Sequence, residues 1–266
     1  AGISSWVKAG YETNTMPGWA GSSWYFLRYM DPKNKSAFAS PAALKLWKQV
    51  DMYIGGAEHA TGHLLYSRFW HKFLFDYGLV PTDEPFKAMR NQGMILAADG
   101  RKMSKSWGNV VNPDECINTY GSDAFRLYEM FIGPFDSSLP WSTDSIIGTR
   151  RFVDRVWRLA DRVDVKNTFK TDPKIISQIH KTIAKVTSDI DEFSFNTSVA
   201  ALMILLNELE TQEKINKKDF ETFLKLIAPF ASHIADELWA KFGNKKSIHV
   251  SEWPKFDAKK VLVETV

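Results

Sequence analysis

The pattern of apolar residues changes near residue 148, and this change constrains the fold more than any other feature of the 266-residue sequence. Before it, short apolar runs alternate with Gly, Pro and Asn, which is typical of strands and helices joined by turns. After it, apolar residues recur at intervals of three and four along four stretches, which predicts a bundle of amphipathic helices. The predicted fold class is therefore α/β followed by all-α.

The first half contains a predicted strand, helix and strand in that order. The stretch DMYIGG (51–56) predicts a buried strand that ends in a glycine turn, and MRNQGMILAADG (89–100) predicts a second strand and turn. Residues 57–78 between them predict a helix. Its apolar side would consist of Leu64, Leu65, Phe69 and Phe73. This order, with Gly78 as the end of the helix, predicts a parallel crossover of the kind found in doubly wound sheets.

The stretch NPDE (112–115) predicts the start of a further helix. Asn112 can cap it, Pro113 suits its first position, and acidic residues follow in its first turn.

The composition excludes several classes of protein and site. The single cysteine, Cys116, cannot form an internal disulfide or a Cys-rich zinc site, so we expect no zinc and a reducing, cytoplasmic setting. No apolar run approaches the roughly 20 residues of a membrane span, so no membrane partner is expected. A net charge of +3 permits a nucleic-acid partner without requiring one. The start of the sequence does not resemble a secretory signal. Because it lacks an initiator Met, we expect a chain that was cut from something longer or processed.

A polar loop rich in lysine lies at DGRKMSKSWGN (99–109). The ammonium groups of Lys102 and Lys105 are point charges that suit phosphate oxygens, and Ser104 and Ser106 could hydrogen-bond the same oxygens. For a generic cluster of Lys and Ser, a solvated surface turn would be the more common interpretation.

The stretch YIGGAEHATGHL (53–64) combines a glycine turn with two histidines. Gly55 and Gly56 remove side chains where a flat ring could approach the backbone, and Glu58 could accept a hydrogen bond from a ribose hydroxyl. His59 and His63 are four residues apart and share a helix face. Their spacing also suits a metal, but no third ligand is evident, so no metal site is predicted. Alternatively, both are ordinary surface or packed polar residues.

Aromatic residues crowd the stretch TMPGWAGSSWYFLRY (15–29). Trp19, Ser22 and Tyr25 recur at a spacing of three, so they could line a small apolar pocket with a hydroxyl rim. An aromatic core segment is the alternative, and we keep that interpretation for Trp24 and Phe26.

These stretches together resemble a known enzyme family. KMSKS is the second signature of the class I aminoacyl-tRNA synthetases. The segments ETNTMPGWAGSSWYFLRYMDP, YIGGAEHATGHLLYSRFWHKFLFDYGLV, NQGMILAADGRKMSKSWGNVVNPDE and YGSDAFRLYEMFIGP resemble the leucyl-tRNA synthetases in particular. FNTSVAALMILLNELE and LIAPFASHIADELW are similar to the anticodon-binding bundle of the same subclass.

The resemblance implies a domain organisation. Residues 1–115 would form the second half of a Rossmann-type catalytic domain, and residues 116–149 a connecting region that contacts the tRNA stem. Residues 150–253 would form the α-helical anticodon-binding bundle, and residues 254–266 a linker tail.

The resemblance also implies a reaction and the residues that serve it. Leucine and ATP with Mg²⁺ would give leucyl-adenylate, from which leucine passes to tRNA(Leu). The catalytic residues would be Lys102 and Lys105. ATP would be bound by Gly55, Gly56, Glu58, Gln92, Met94, Ile95, Lys102, Met103, Ser104, Lys105 and Ser106. The leucine side chain would be bound by Trp19, Ser22, Tyr25, His59 and His63.

Some parts of the family pattern are not found in this sequence. The first class I signature, His-x-Gly-His, does not occur, and neither does the inserted editing domain. We therefore expect an obligate partner, the N-terminal half of the same synthetase, and no activity without it. A non-catalytic tRNA-binding module is the alternative, supported by arginines that recur along one predicted helix. These are Arg150, Arg151, Arg155, Arg158 and Arg162, although a solvated helix face would explain most of them equally well. A generic nucleotidyl transferase is disfavoured because it does not explain the helical half.

Overall fold

The protein is described by a computed structural model that covers residues 8–10 and 19–261. Residues 15–18 of the predicted aromatic stretch and residues 262–266 of the predicted tail lie outside the described residues. The chain divides into two compact units between Gly93 and Met94. This division differs from the boundaries predicted after residues 115, 149 and 253, which stay predictions. Each unit is described by itself below.

The first unit combines short helices with one pair of strands. A 3₁₀ turn, Gly21–Ser23, precedes the first helix, and the described part of this unit contains one pair of hydrogen-bonded strands. Its elements are α1 (Tyr25–Tyr29), α2 (Pro41–Trp47), β1 (Tyr53–Ile54), a 3₁₀ turn (Ala57–His59), a π-helical turn (Ala60–Leu64), α3 (Leu65–Asp76) and β2 (Met89–Arg90).

The predicted parallel crossover is present. β1 pairs in parallel with β2, in the register Tyr53 to Met89 and Ile54 to Arg90, and α3 lies between them in the chain. The prediction of one strand over residues 89–100 was wrong. That stretch contains β2 and, after a break at residues 91–94, a separate strand that pairs elsewhere. Both strands are two residues long, which is too short for a periodic signal to separate them.

The predicted helix over residues 57–78 is helical but not uniform, because a 3₁₀ turn and a π-helical turn precede α3. Gly78 ends it as predicted, with a φ of +68° that favours glycine. The predicted apolar side does not pack into the unit. Leu65, Phe69 and Phe73 are 61%, 67% and 42% exposed, whereas the polar side chains of Ser67 and His71 are buried. A stripe of apolar residues indicates that something covers a helix face, but not that the same unit does.

The first unit has a small core. Phe26 and Leu27 of α1 pack against Leu44 of α2 and Val80. Burial of Phe26 confirms the prediction for that residue, but Trp24 is 38% exposed because it precedes α1, outside the core-facing side of the helix.

The second unit is mostly helical. Its strands are β3 (Ile95–Leu96), β4 (Leu139–Pro140), β5 (Val163–Asp164) and β6 (Ile215–Asn216), which pair in parallel as β3 with β4 and β5 with β6. Its α-helices are α4 (Pro113–Tyr120), α5 (Ser122–Phe131), α6 (Thr143–Leu159), α7 (Pro173–Glu192), α8 (Phe195–Glu210), α9 (Lys217–Ile227) and α10 (Ser232–Lys241).

The helix signals in this half are mostly confirmed. α4 begins as predicted, with the Asn112 side chain accepting a hydrogen bond from the Asp114 backbone N–H (3.0 Å) and Pro113 at the first helical position. The four predicted bundle stripes correspond to five helices, because the fourth stripe is divided between α9 and α10. Pro229 in the intervening turn has no N–H to continue the helix.

One continuous core holds the bundle together. α7 packs along α8, and side chains from α5, α6, α9 and α10 join the same apolar cluster. Its fully buried members include Leu202, Leu206, Phe220 and Phe223. A second cluster beside it contains Cys116, Phe125, Tyr128, Trp141 and Ile146.

Candidate functional site

A cavity of about 390 Å³ in the first unit is lined by eight of the sixteen residues predicted to bind leucine or ATP. Its volume lies in the range of small-molecule sites. All five predicted leucine-binding residues line it, together with three of those predicted for ATP. They are Trp19, Ser22, Tyr25, His59, His63, Gly55, Gly56 and Gln92. The sequence analysis missed the other lining residues, Tyr53, Ile54, Leu64, Met89 and Asn91.

The aromatic wall of the cavity depends on a glycine. The indole of Trp19 lies against Gly62 in the π-helical turn, where a Cβ atom would come within 2.9 Å of the ring. Trp19 also lies nearly parallel to Tyr66, with ring centroids 6.5 Å apart. The hydroxyl of Ser22 donates to the backbone oxygen of Trp19 (3.1 Å), which fixes the turn that leads into α1. A side chain at position 62 would therefore displace this wall.

A chain of hydrogen bonds runs along one side of the cavity. The Tyr25 and Tyr53 hydroxyls are 2.9 Å apart, and the Tyr53 hydroxyl lies 2.5 Å from Nε2 of His63. Nδ1 of His63 lies 3.3 Å from the hydroxyl of Ser67, which donates to the backbone oxygen of Ser22 (3.5 Å). Burial, and then the nearby His59, lower the pKa of His63, and burial raises the pKa of Tyr53. The side of the cavity formed by this chain is therefore uncharged at neutral pH.

The glycine pair at the end of β1 is held by the two amides that follow β2. Asn91 donates to the backbone oxygen of Gly55 (2.8 Å). With its amide oriented by hydrogen bonding, Gln92 donates to the same oxygen (3.0 Å) and accepts from the N–H of Gly56 (3.2 Å). The Glu58 carboxylate lies over Gly56, where a Cβ atom would be 2.1 Å from it, while the space beside Gly55 is open. Gln92 thus shapes the turn, and Gly55 leaves room for a flat ligand.

The lysine loop lies in the second unit. Gly100 and Gly108 bound it with φ values of +78° and +65°. The side chain of Asn109 closes it, accepting from the Ser104 N–H (2.9 Å) and donating to the backbone oxygen of Lys102 (3.3 Å).

Inside this loop, the ammonium groups remain exposed while the other side chains are engaged. Met103 packs against the cluster around Tyr128, and the Ser104 and Ser106 hydroxyls bond each other (2.8 Å). Within the described part of the chain, neither Lys102 nor Lys105 forms an ion pair. The loop therefore holds a fixed backbone with two free positive charges, which suits an anionic ligand.

Two residues predicted for ATP belong to the second unit by their packing. The N–H of Met94 donates to the Ser138 hydroxyl (3.1 Å), and Ile95 in β3 packs against the cluster that also holds Met103. Ile95 thus shares a cluster with Met103 of the lysine loop, whereas Met94 is bonded to the residue before β4, and neither lines the cavity in the first unit.

The arginines of α6 have different surroundings. Arg155 forms an ion pair with Glu210 and donates to the Asn207 side chain (2.5 Å), and Arg150 pairs with Asp154 (3.0 Å). Arg151 and Arg158 are exposed. The partners of Arg155 on α8 explain its position by helix packing alone.

Among the described residues, no group of three or more His, Cys, Asp or Glu side chains is arranged to hold a metal ion. No helix among residues 8–10 and 19–261 is both long and apolar enough to cross a membrane.

Two family models of tRNA synthetases and solved structures of known proteins match this chain. A family model described as tRNA synthetases class I (I, L, M and V) matches residues 41–139, and one described as the anticodon-binding domain of tRNA ligase matches residues 172–266. A solved structure, the ternary complex of the LeuRS of Agrobacterium radiobacter with tRNA and LeuAMS, is 35% identical with a TM-score of 0.83. The match covers 91% of this chain and 34% of that one, so the chain spans about a third of the length of this relative.

Proposed function

Because the chain belongs to the class I aminoacyl-tRNA synthetases and is similar to a LeuRS along 91% of its length, we propose that it takes part in the ligation of leucine to tRNA(Leu). Leucine would be activated with ATP, bound as its Mg²⁺ complex, to leucyl-adenylate and pyrophosphate, and then transferred to tRNA. A cytoplasmic location goes with this reaction.

The observation that carries the proposal is the cavity beside the glycine turn. Its aromatic wall and uncharged histidine suit a branched apolar side chain, and the open space at Gly55 suits the adenosine of ATP. We assign the leucine side chain to the wall that contains Trp19, Tyr25 and His63. Glu58, at the mouth of the same turn, would accept from a ribose hydroxyl.

The lysine loop would stabilise the phosphates. The leucine carboxylate attacks the α-phosphate in line, and negative charge develops on the departing pyrophosphate. Positive charges held in place at Lys102 and Lys105 stabilise that charge without covalent chemistry.

We infer from the exposed apolar face of α3 that a further polypeptide segment packs against it. Leu65, Phe69 and Phe73 follow one another at intervals of four and are all largely exposed, which is unusual for large apolar side chains on one helix. We propose that the N-terminal half of the synthetase covers this face and that the chain is inactive without it.

For tRNA, the exposed Arg151 and Arg158 are the stronger candidates for phosphate contacts. Arg150 could exchange its exposed pair with Asp154 for a phosphate, whereas Arg155 is engaged with Glu210. Removing one phosphate contact would weaken binding across sequences and reduce its salt dependence.

Amino-acid-dependent exchange between ATP and pyrophosphate tests the proposal. The chain alone, and the chain mixed with the N-terminal half, would be assayed with leucine, isoleucine, valine and methionine. We expect exchange with leucine in the mixture only. No exchange in any sample, with tRNA binding retained, would instead support the non-catalytic tRNA-binding module.

Lys105→Ala sharpens this test. We expect it to lower the rate of adenylation by about 10²–10³-fold, the scale of losing one positioned charge-stabilising group, with little change in leucine affinity. Lys245→Ala, at another exposed lysine of the second unit, is the matched control and should leave both unchanged. An equal loss of rate and affinity in Lys105→Ala would contradict its role at the phosphates.

A further inference from the structure

We propose that Tyr53 and Ser67 are positioning residues that occupy both ring nitrogens of His63, so that this polar side chain lines the cavity as an apolar wall. The inference rests on the proposed function, because it concerns which amino acid the same cavity accepts. It predicts that the cavity excludes asparagine, the polar isostere of leucine, because its amide is polar and not because of its size.

The geometry assigns a direction to the hydrogen-bond chain. The backbone oxygen of Ser22 can only accept, so the Ser67 hydroxyl gives its hydrogen to that oxygen. The Ser67 oxygen then accepts from Nδ1–H of His63. Nε2 therefore carries no hydrogen and accepts from the hydroxyl of Tyr53, 2.5 Å away, whose oxygen accepts in turn from Tyr25. Every member donates once in the same direction, and His63 does so as a neutral ring.

The surroundings of His63 favour the same state. The residue is 9% exposed, and burial disfavours its charged form. The titratable side chains that face its ring are Tyr25, Tyr53 and His59, with ring centroids 6.3, 5.8 and 6.3 Å away. None of these is an acid that is charged at neutral pH, and a positive charge on His59 would repel one on His63.

With both ring nitrogens occupied, His63 offers a ligand neither a free donor nor a free acceptor, so the part of the wall that it forms selects by polarity. Leucine and asparagine branch at the same carbon, but asparagine carries an amide where leucine carries two methyl groups. Shape therefore separates them poorly, whereas a buried amide that finds no partner is strongly disfavoured. The Ser22 hydroxyl, which is bonded to the backbone oxygen of Trp19, is likewise unable to donate to a ligand.

The first arm of the test measures His63 itself, independently of activity. The chain would be labelled with ¹⁵N at histidine, and ring correlations recorded from about pH 5 to pH 8, the range in which histidine ordinarily titrates. His63→Gln assigns the signals. We expect a neutral ring with its hydrogen on Nδ1 at pH 7, and in Tyr53→Phe a mixture of tautomers that protonates at higher pH than the wild-type ring. A wild-type ring that is charged at pH 7 or protonated on Nε2 would overturn the proposal.

The second arm measures selectivity in the chain combined with the N-terminal half. The ratio of kcat/KM for leucine to kcat/KM for asparagine in pyrophosphate exchange should fall by about tenfold or more in Tyr53→Phe, because Nε2 is freed to accept from an amide. Ser67→Ala should change the ratio in the same direction. Tyr29→Phe removes a hydroxyl from an exposed tyrosine outside the chain of hydrogen bonds and should leave the ratio unchanged.

The two arms separate the inference from the function on which it rests. If Tyr53→Phe lowers activity with leucine and asparagine in equal proportion, its role is structural and the inference fails while the proposed function stands. If the wild-type mixture shows no leucine-dependent exchange, the proposed function fails, and with it the claim of selectivity.

Discussion

The two units of the molecule bury their apolar residues to very different degrees. In the second unit, six helices share one continuous core in which Leu202, Leu206 and Phe223 are fully buried. In the first unit, the core is a small cluster around Phe26 and Leu27, while Trp47 and Phe69 are 60% and 67% exposed.

This difference shows that the two units depend on further chain to different extents. The second unit has a large continuous core of its own, as an independently stable bundle does. The first unit holds the cavity but leaves apolar side chains in water, where they contribute little to its own stability. The residues predicted to select leucine thus lie in the unit that leaves more of its large apolar side chains exposed.

The largest test of this comparison removes one phenylalanine from each unit. Phe223→Ala in α9 should lower the free energy of unfolding of the second unit by about 3–5 kcal/mol, because it leaves a cavity in a packed core. Phe69→Ala in α3 is the matched variant and should change stability by less than about 0.5 kcal/mol, because its side chain is already hydrated. Urea unfolding followed by circular dichroism measures both, and similar losses would break the comparison.

A buried carboxylate adds a polar contribution to the second unit. Asp123 of α5 accepts from the N–H groups of His233 (3.1 Å) and Ile234 (2.7 Å), so it caps α10 from another helix. Asp123→Ala should cost about 1–3 kcal/mol of unfolding free energy, since it leaves these N–H groups without their partner. Asp136→Ala, at an exposed aspartate of the same unit, should cost less than about 0.5 kcal/mol. Equal losses of unfolding free energy in the two variants would mean that Asp123 does not stabilise α10 as a cap.

Much of the fold could be predicted because its signals are local. The cap at Asn112, the glycine stop at Gly78 and the bundle stripes are each defined within a few residues. The exposure of Phe69 could not be predicted, because periodicity identifies an apolar face without identifying what covers it. The two strands at residues 89–96 were merged because a two-residue strand has no period.

The same distinction applies to the site. The glycine pair and the two histidines were predicted from one short stretch, and they meet in one cavity. Tyr53 and Ser67 were missed because their role arises from contacts that no short stretch contains: the hydroxyl of Ser67 reaches the backbone of Ser22, 45 residues away. The position of Tyr53, directly before the glycine turn, was the one available signal.

The smallest predicted effect is for a carboxylate in the first unit that, unlike Asp123, is partly exposed. Glu84 accepts three hydrogen bonds from Arg68 (3.1, 2.8 and 2.6 Å) and pairs with Lys72 (3.0 Å), which ties α3 to the loop before β2. The hydrogen bonds from Arg68 lower the pKa of Glu84 from 4.5 to about 2. Because water and salt screen the pair, Glu84→Gln should cost less than about 1 kcal/mol at pH 7, and less still in high salt.

The pH dependence gives this prediction its sign. Since the pKa of Glu84 is lower in the folded protein, the carboxylate contributes its full stability above about pH 4.5 and loses it as the pH falls toward 2. The difference in unfolding free energy between wild type and Glu84→Gln should therefore be present at pH 7 and shrink as the pH approaches 2. A difference that grows on acidification would mean that Glu84 stabilises the first unit in its protonated form. A loss of stability as large as that of Asp123→Ala would contradict the contrast between the exposed and the buried carboxylate.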